Sequence, residues 1–152
     1  MSVTECECEC ECVSVKGSEM AKSYRELLVW QKGIQLSLLI YRLSKEFPRE
    51  ETYGLSNQMR RAAVSIPSNI AEGAGRLNTR EYKQYLGVAR GSSFELQTQL
   101  TIARELGFGD LEQLQEAETT CNEIGRMLFG VIHALSAKNE GAVAASPHSP
   151  SH

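Results

Sequence analysis

Six basic side chains near the middle of the sequence are the residues whose type and spacing could do chemistry. They stand at Arg60, Arg61, Arg76, Arg80, Lys83 and Arg90. Guanidinium and ammonium groups bind phosphate oxygens. On an extended helix the last four project within about 80° of one another, so they would form one ridge. The spacing is typical of an ordinary solvated helix face, and it also fits a phosphate-contacting surface for RNA or DNA.

Arg60 and Arg61 belong to an earlier helix than the other four basic residues. Neighbouring residues on a helix point about 100° apart, which allows one of these two to pair with Glu72 or with a neighbouring subunit instead. Phe94 follows Arg90 by one helical turn. Because no base-reading motif is present, we expect weak discrimination among nucleotide sequences.

The charges are unevenly distributed along the sequence. The formal net charge is −3 and the pI is about 5.7. Residues 60–90 hold six Lys or Arg against two acids, whereas residues 91–138 hold three against seven. Such asymmetry permits a nucleic-acid-binding face, while the acidic pI argues against indiscriminate binding.

Catalytic and metal-binding patterns are absent from the sequence. Helical bundles that hold di-iron sites use Glu-x-x-His pairs, and no such pair occurs. The one histidine before the C-terminal tail, His133, has Gly130 and Phe129 as its i−3 and i−4 neighbours. Nucleophile-elbow, zinc-protease and Walker motifs are also missing. We therefore expect no enzymatic activity and no cofactor.

The N-terminal segment repeats Cys-Glu with a period of two residues. It places four cysteines close together, at Cys6, Cys8, Cys10 and Cys12. Structural zinc sites usually space their cysteines as C-x2-4-C pairs, so this ladder is a poor match. We expect residues 1–20 to be a disordered, non-functional leader, and adventitious binding of a soft metal is the alternative.

The elements that would position the basic residues are helices. In the stretch around Arg60, apolar residues recur at helical spacing, at Leu55, Met59, Ala62, Ile66 and Ile70. Pro67 interrupts this pattern, and we expect a kink or a break there. The small residues around Pro67 predict a close approach of another helix. A polar set, Ser65, Ser68, Asn69 and Glu72, is a second candidate for binding. The glycines at 73 and 75 are expected to end the helix in a left-handed conformation.

The preceding helix is predicted from Tyr24 to Phe47 and has apolar residues on two opposite sides. One side carries Leu27, Trp30, Ile34, Leu38 and Tyr41, and the other carries Val29, Leu36, Ile40, Leu43 and Phe47. A single bundle needs one apolar side. The second predicts contact with another subunit, for which the candidate residues are Trp30, Ile40 and Phe47.

Two longer helices follow in the second half of the chain. The third is expected to begin at Asn78 or Thr79 and to end before Gly107, and its seam residues are Tyr82, Leu86, Ala89, Ser93, Leu96, Leu100 and Ala103. The fourth begins after Asp110 with Leu114, Ala117, Cys121, Ile124, Leu128, Val131 and Leu135 at 3-4 spacing. Cys121 is therefore expected to be a buried small residue.

Several motifs in order resemble one bacterial family. They are VWQKG at 29–33, IYRLSKEFP at 40–48, ETYGL at 51–55, QMRRAAVSIPSNIAEGAGR at 58–76 and GSSFELQTQLTIARELGF at 91–108. This series is similar to the four-helix-bundle proteins encoded in intervening sequences of 23S rRNA genes, which also resemble the accessory protein of diversity-generating retroelements. The resemblance implies a non-enzymatic helical bundle, a ring-shaped homopentamer and a basic surface for nucleic acid. It also suggests a reverse transcriptase or another ribonucleoprotein component as a partner.

The sequence thus predicts an all-α, antiparallel up-down four-helix bundle over residues 21–138, assembling into a ring-shaped homo-oligomer. Residues 139–152 are expected to be a disordered tail. No apolar run is long enough for a membrane helix, so we expect no membrane partner and a cytoplasmic location. The predicted function is binding of RNA, DNA or a ribonucleoprotein, and a protein-protein interaction scaffold is the alternative.

Overall fold

Four α-helices make up most of the computed structural model, which describes residues 23–143. They are α1 at Leu28–Ser44, α2 at Leu55–Ala74, α3 at Thr79–Glu105 and α4 at Leu111–Val143. Short 3-10 turns at Tyr24–Glu26 and Arg49–Glu51 precede α1 and α2. No strand occurs in this part of the chain, which confirms the all-α prediction. The predicted leader lies outside the described residues, and α4 runs past the predicted end of the bundle at 138.

One apolar core lies between the four helices. The helices α1 and α3 each pack against both α2 and α4, and these contacts close a ring around the core. The predicted seams of α2, α3 and α4 face inward, and their fully buried large side chains are Met59, Ile66, Ile70, Leu86, Leu96, Leu100, Leu114, Ile124 and Leu128. Cys121 is buried among them, as its position in the seam predicted. Within residues 23–143, no helix has the length and apolarity needed to cross a membrane.

The two apolar sides of α1 have different surroundings. The core side consists of Val29, Leu36, Ile40, Leu43 and Phe47, all buried. Ile40 and Phe47 are therefore enclosed within one chain, and these two predicted interface residues are not exposed to a second one. On the other side, Leu38 is 55% exposed and Ile34 and Tyr41 are also exposed. Trp30 lies half-buried at the margin, in edge contact with Tyr24.

Pro67 lies in the middle of α2, and the helix continues through it. The helix is therefore not broken at Pro67, and the kink that was the other predicted outcome stays a prediction. Proline has no N–H, so it cannot donate a hydrogen bond to the carbonyl of Ala63. The Ser37 hydroxyl of α1 lies 3.1 Å from that carbonyl oxygen and 2.9 Å from the Gly33 carbonyl oxygen of its own helix. The acceptor that proline leaves free is thus served by the neighbouring helix.

The same proline explains the glycine that faces it across the α1–α2 contact. A Cβ atom added at Gly33 would lie 3.3 Å from Cβ and Cδ of Pro67. Such a distance is tighter than most Cβ contacts, so the missing side chain allows α1 and α2 to approach closely. The close approach predicted from the small residues around Pro67 is confirmed at this point.

Side-chain caps and glycines set the ends of the helices. Asn78 Oδ1 accepts from the Glu81 N–H at 2.9 Å, and Asp110 Oδ2 accepts from the Gln113 N–H at 3.0 Å. Both caps agree with the sequence. Gly75, at the end of α2, has φ −81°, so the predicted left-handed ending is wrong. Gly73 is instead required by space, because a Cβ there would lie 2.7 Å from Cβ of Tyr85.

The turn between α3 and α4 contains the two glycines with positive φ in the described chain, Gly107 at 73° and Gly109 at 78°. They differ in their surroundings. Nothing lies within 4 Å of a Cβ at Gly107, whereas one at Gly109 would lie 2.8 Å from both Leu43 Cδ1 and Phe47 Cε1. Gly109 therefore combines a left-handed backbone with direct contact to the core.

Candidate nucleic-acid interface

Three of the predicted basic residues lie in the first turns of α3 or just before it, and one of them contacts α4. Arg80 is exposed. Lys83 is half-buried, and its Nζ donates to Ser136 Oγ of α4 at 3.3 Å. Arg76, just before the helix, donates to both Glu72 and the Tyr85 hydroxyl, and its guanidinium lies 4.7 Å from the centroid of the Tyr85 ring. The charge of Arg76 is thus partly satisfied within the chain.

Arg90 lies two turns further along α3, between two aromatic rings. Its guanidinium carbon is 4.8 Å from the centroid of Phe94 and 5.1 Å from that of Phe129 on α4. Both distances are within the range of cation–π attraction. Arg90 Nε is buried and has no hydrogen-bond partner among the described residues. The side chain therefore lies against the two rings, and its Nε forms no hydrogen bond to another described residue.

A shallow groove between α3 and α4 surrounds Arg90. Its volume is about 290 Å3, and it is lined by Arg90, Phe94, Gln97, Asn122, Gly125, Arg126 and Phe129. The α4 members were not predicted as site residues from the sequence. The available signal was their spacing, because Asn122, Arg126 and Phe129 recur at 4 and 3 residues, outside the apolar seam of the same helix.

Arg60 and Arg61 lie away from this groove. Arg60 Nε donates to Ser44 Oγ at 2.8 Å, and the Arg60 guanidinium lies 4.9 Å from the centroid of the Tyr41 ring. The Arg60 side chain therefore contacts the end of α1. Arg61 is exposed and lines a separate groove that also contains Glu95. The six predicted basic residues therefore do not form one surface.

Three of the described basic residues form ion pairs, and the others have no carboxylate partner in this part of the chain. Within residues 23–138, carboxylates lie within 4.0 Å of Lys32, Arg76 and Arg104, which pair with Glu123, Glu72 and Glu118 respectively. Arg80, Lys83, Arg90 and Arg126 have no carboxylate within that distance in this part of the chain. We call these four residues the basic track. Several other described cations also lack a carboxylate partner, so position sets this group apart: Arg90 and Arg126 line one groove between α3 and α4, and Lys83 contacts α4.

The polar set around Pro67 is used inside the molecule. Ser65 Oγ and Ser92 Oγ are 2.8 Å apart and join α2 to α3. Asn69 Nδ2 donates to both the carbonyl oxygen and the hydroxyl of Ser65, at 2.8 and 2.9 Å. These contacts give Ser65 and Asn69 a role in packing the helices. Ser68 and Glu72 are exposed, and Glu72 pairs with Arg76 at the surface.

The thiol of Cys121 is a poor nucleophile. Burial raises the pKa of Cys121 to about 12, and the nearby Glu118 carboxylate adds to this effect. The thiolate is the nucleophilic form, so the side chain acts as an apolar core residue. Among the described residues, no group of three or more His, Cys, Asp or Glu side chains is placed to hold a metal ion.

The fold and the site define a class of protein: an all-helical, four-helix chain with an unneutralised basic groove on one side. A family model for the 23S rRNA-intervening sequence protein matches residues 25–130. The chain belongs to this family. That match confirms the family resemblance seen in the sequence motifs.

The fold is also similar to a solved structure. A crystal structure of a protein of unknown function from the S23 ribosomal protein family of Bacteroides thetaiotaomicron superposes with a TM-score of 0.65. The two sequences are 22% identical, and the match covers 69% of this chain and 98% of the other. At this identity the likeness concerns the fold. No curated protein matches the chain.

Proposed function

We propose that this protein binds RNA or DNA through the basic track on the α3–α4 side, and that it does so without catalysing a reaction. The observation that carries this proposal is the position of unpaired cations along the α3–α4 junction, where Arg90 and Arg126 line one groove and Lys83 contacts α4. Cations that an acid does not neutralise attract phosphates most strongly. Membership of a family named for 23S rRNA intervening sequences is consistent with a nucleic-acid partner.

The proposed architecture is an antiparallel up-down bundle. Contacts between helix ends support it: Lys83 near the start of α3 reaches Ser136 near the end of α4, and Arg104 near the end of α3 pairs with Glu118 near the start of α4. Arg60, early in α2, likewise meets Ser44 at the end of α1. In this arrangement the basic track runs along one side of the bundle, at the junction of α3 and α4.

We further propose that several chains assemble into a ring, with five copies expected from the family resemblance. The outer side of α1 supports an interface, because Leu28 and Leu38 are each 55% exposed and Ile34 and Tyr41 lie beside Leu38 at helical spacing. This outer apolar side keeps the predicted interface residue Trp30, which is half-buried, and replaces the buried Ile40 and Phe47. A ring would repeat a modest phosphate-binding site, and multivalent contact strengthens binding to a long strand.

Charge reversal on the basic track tests the proposal. Arg80→Glu/Lys83→Glu should abolish binding of a fluorescently labelled RNA or DNA in an anisotropy titration. Lys45→Glu/Arg49→Glu is the matched control, since it makes the same change in net charge at exposed residues before α2. Circular dichroism and light scattering should show that both variants keep the fold and the oligomeric state of the wild type.

The salt dependence gives a second measurement. About four phosphate contacts per site should produce a slope near −3 when the logarithm of the binding constant is plotted against the logarithm of the salt concentration, at roughly 0.7 to 0.9 per phosphate. Absence of binding at about 50 mM salt, or equal binding by the two double variants, would contradict the proposal. The outer apolar side of α1 would then favour a protein-protein interaction scaffold.

A further inference from the structure

Two phenylalanine rings stand at the surface of the α3–α4 groove on either side of the Arg90 guanidinium. Phe94 is 44% exposed and Phe129 is 49% exposed. A helical bundle gains stability by burying such rings, since removing large apolar side chains from water lowers the free energy. The Arg90 guanidinium lies against both rings, and Phe129 also contacts the His133 ring at 4.3 Å between centroids, so the exposed remainder of each ring is the part that another planar group can reach.

The polar groups that surround the two rings favour a nucleotide over a purely apolar ligand. Arg90 and Arg126 supply positive charge without a carboxylate partner among the described residues, and Gln97 and Asn122 supply amide donors and acceptors at the far end of the groove. The groove volume of about 290 Å3 is close to the lower limit for small-molecule sites, so one base rather than a large ligand fits it. Proteins that bind single-stranded nucleic acid commonly combine aromatic rings with positively charged side chains.

We propose that Phe94 and Phe129 stack against bases of single-stranded RNA or DNA, while Arg90 and Arg126 contact the adjoining phosphates. This inference rests on the proposed function and adds to it the class of ligand and the residues that select it. In a duplex the base faces are covered by their neighbours, so only an unpaired segment can offer a face to the two rings. The protein should therefore prefer single strands to duplexes, without strong preference for nucleotide sequence.

The position of Lys83 and Arg80 extends the site along the groove. From Lys83 to Gln97 the helix rises by roughly 21 Å, so a strand that stacks on Phe94 can continue over the first turns of α3. Because the same side of α4 contributes Arg126 and Phe129, the strand would follow the junction of the two helices. The stacking residues and the N-terminal cations of α3 thus act on different parts of one strand.

Three labelled probes of equal length separate stacking from phosphate binding. They are an unstructured single strand of about 12 nucleotides, the matching duplex, and an abasic strand with the same phosphates. This length is within the range of site sizes of single-strand binders. The wild type should bind the single strand more tightly than the duplex or the abasic strand. Because the abasic strand has no bases to stack, its dissociation constant should exceed that of the single strand by about tenfold or more.

Substitution of the rings tests the residues directly. Phe94→Leu/Phe129→Leu keeps apolar bulk and should weaken binding of the single strand by about tenfold or more, with little change for the abasic strand and an unchanged salt slope. Tyr53→Leu is the matched control, because Tyr53 is an aromatic residue that is 91% exposed and lies outside the groove. It should bind all three probes as the wild type does.

A fluorescent variant gives a readout that does not depend on affinity. Trp30 is the single tryptophan of the chain and lies on α1, so Phe129→Trp adds a reporter in the groove. Its emission should be quenched by the single strand and not by the abasic strand. A Phe129→Trp protein that binds without quenching would place the bases elsewhere.

The outcomes separate this inference from the proposed function. If the wild type binds all three probes equally, or if Phe94→Leu/Phe129→Leu binds the single strand as the wild type does, stacking is wrong while phosphate binding by the basic track stands. A preference for the duplex would also overturn it. If the wild type binds none of the probes, both proposals fail, and the two rings would instead mark a protein contact.

Discussion

Removal of the Ser37 hydroxyl tests how the fold accommodates a proline inside α2. In Ser37→Ala the carbonyl oxygen of Ala63 stays buried, with no N–H from Pro67 and no hydroxyl from α1. Leaving a buried acceptor unsatisfied costs about 1–3 kcal/mol. Alanine is a better helix former than serine by about 0.5 kcal/mol, which partly offsets this cost. We expect the free energy of unfolding to fall by about 0.5–2.5 kcal/mol.

A second substitution isolates the hydrogen bond. Pro67→Ala restores an N–H that can donate to the Ala63 carbonyl, so the Ser37 hydroxyl is no longer needed there. In the Pro67→Ala background, Ser37→Ala should be neutral or slightly stabilising. The double-mutant cycle cancels the cost of the cavity left by the proline ring. We expect a coupling free energy of about 1 kcal/mol or more between the two positions.

Urea unfolding followed by far-ultraviolet circular dichroism measures these differences. All variants must be compared at one protein concentration, because oligomerisation would make stability depend on it. Ser68→Ala is the control for helix propensity, since Ser68 is exposed on α2. If Ser37→Ala costs the same with proline or alanine at position 67, the Ser37 hydroxyl does not compensate for the missing N–H and the reasoning is refuted.

Three further predictions follow from the turn, the outer side of α1 and the buried thiol. Gly107→Ala should lower the free energy of unfolding by about 1–2 kcal/mol, because the backbone there is left-handed. Gly109→Ala should lower it by about 2–4 kcal/mol, because its new Cβ also contacts core side chains. Equal losses of stability in thermal melts would contradict this prediction. If the proposed ring forms through α1, Leu38→Asp should reduce the mass measured by light scattering below that of the wild type, while Leu111→Asp, at an exposed site on α4, should not. Cys121, whose pKa is raised to about 12, should resist iodoacetamide at neutral pH and react after unfolding in urea, as peptide mass spectrometry would report.

Much of the fold could be predicted from the periodicity of the sequence. The seams of α3 and α4 are buried where the 3-4 spacing placed them, and the caps at Asn78 and Asp110 form the expected hydrogen bonds. Local rules were sufficient here, because capping and burial of a helix face depend on residues close in sequence. The continuous path of α2 through Pro67 could not be predicted in this way, since its missing donor is replaced from another helix.

The candidate site was harder to predict for a similar reason. The sequence identified Arg80, Lys83 and Arg90 by their charge and spacing on one helix. It did not identify Phe129 or Arg126, which reach the same groove from α4 and are far from Arg90 in sequence. Two opposite apolar sides on α1 were correctly recognised, but pattern alone could not tell which of them faces the core.

The contact of Ser37 and Gly33 with Ala63 and Pro67 also selects the register in which α1 and α2 pair. Sliding α1 by one turn, about 5.4 Å, would move the Ser37 hydroxyl away from the carbonyl of Ala63. That carbonyl would then have no donor, because Pro67 has no N–H. The same slide would bring Ser37 or Val29, instead of Gly33, against the proline ring. Alternative alignments of these two apolar helices would therefore combine an unsatisfied acceptor with a steric clash, so a single proline discriminates against mispaired bundles during folding.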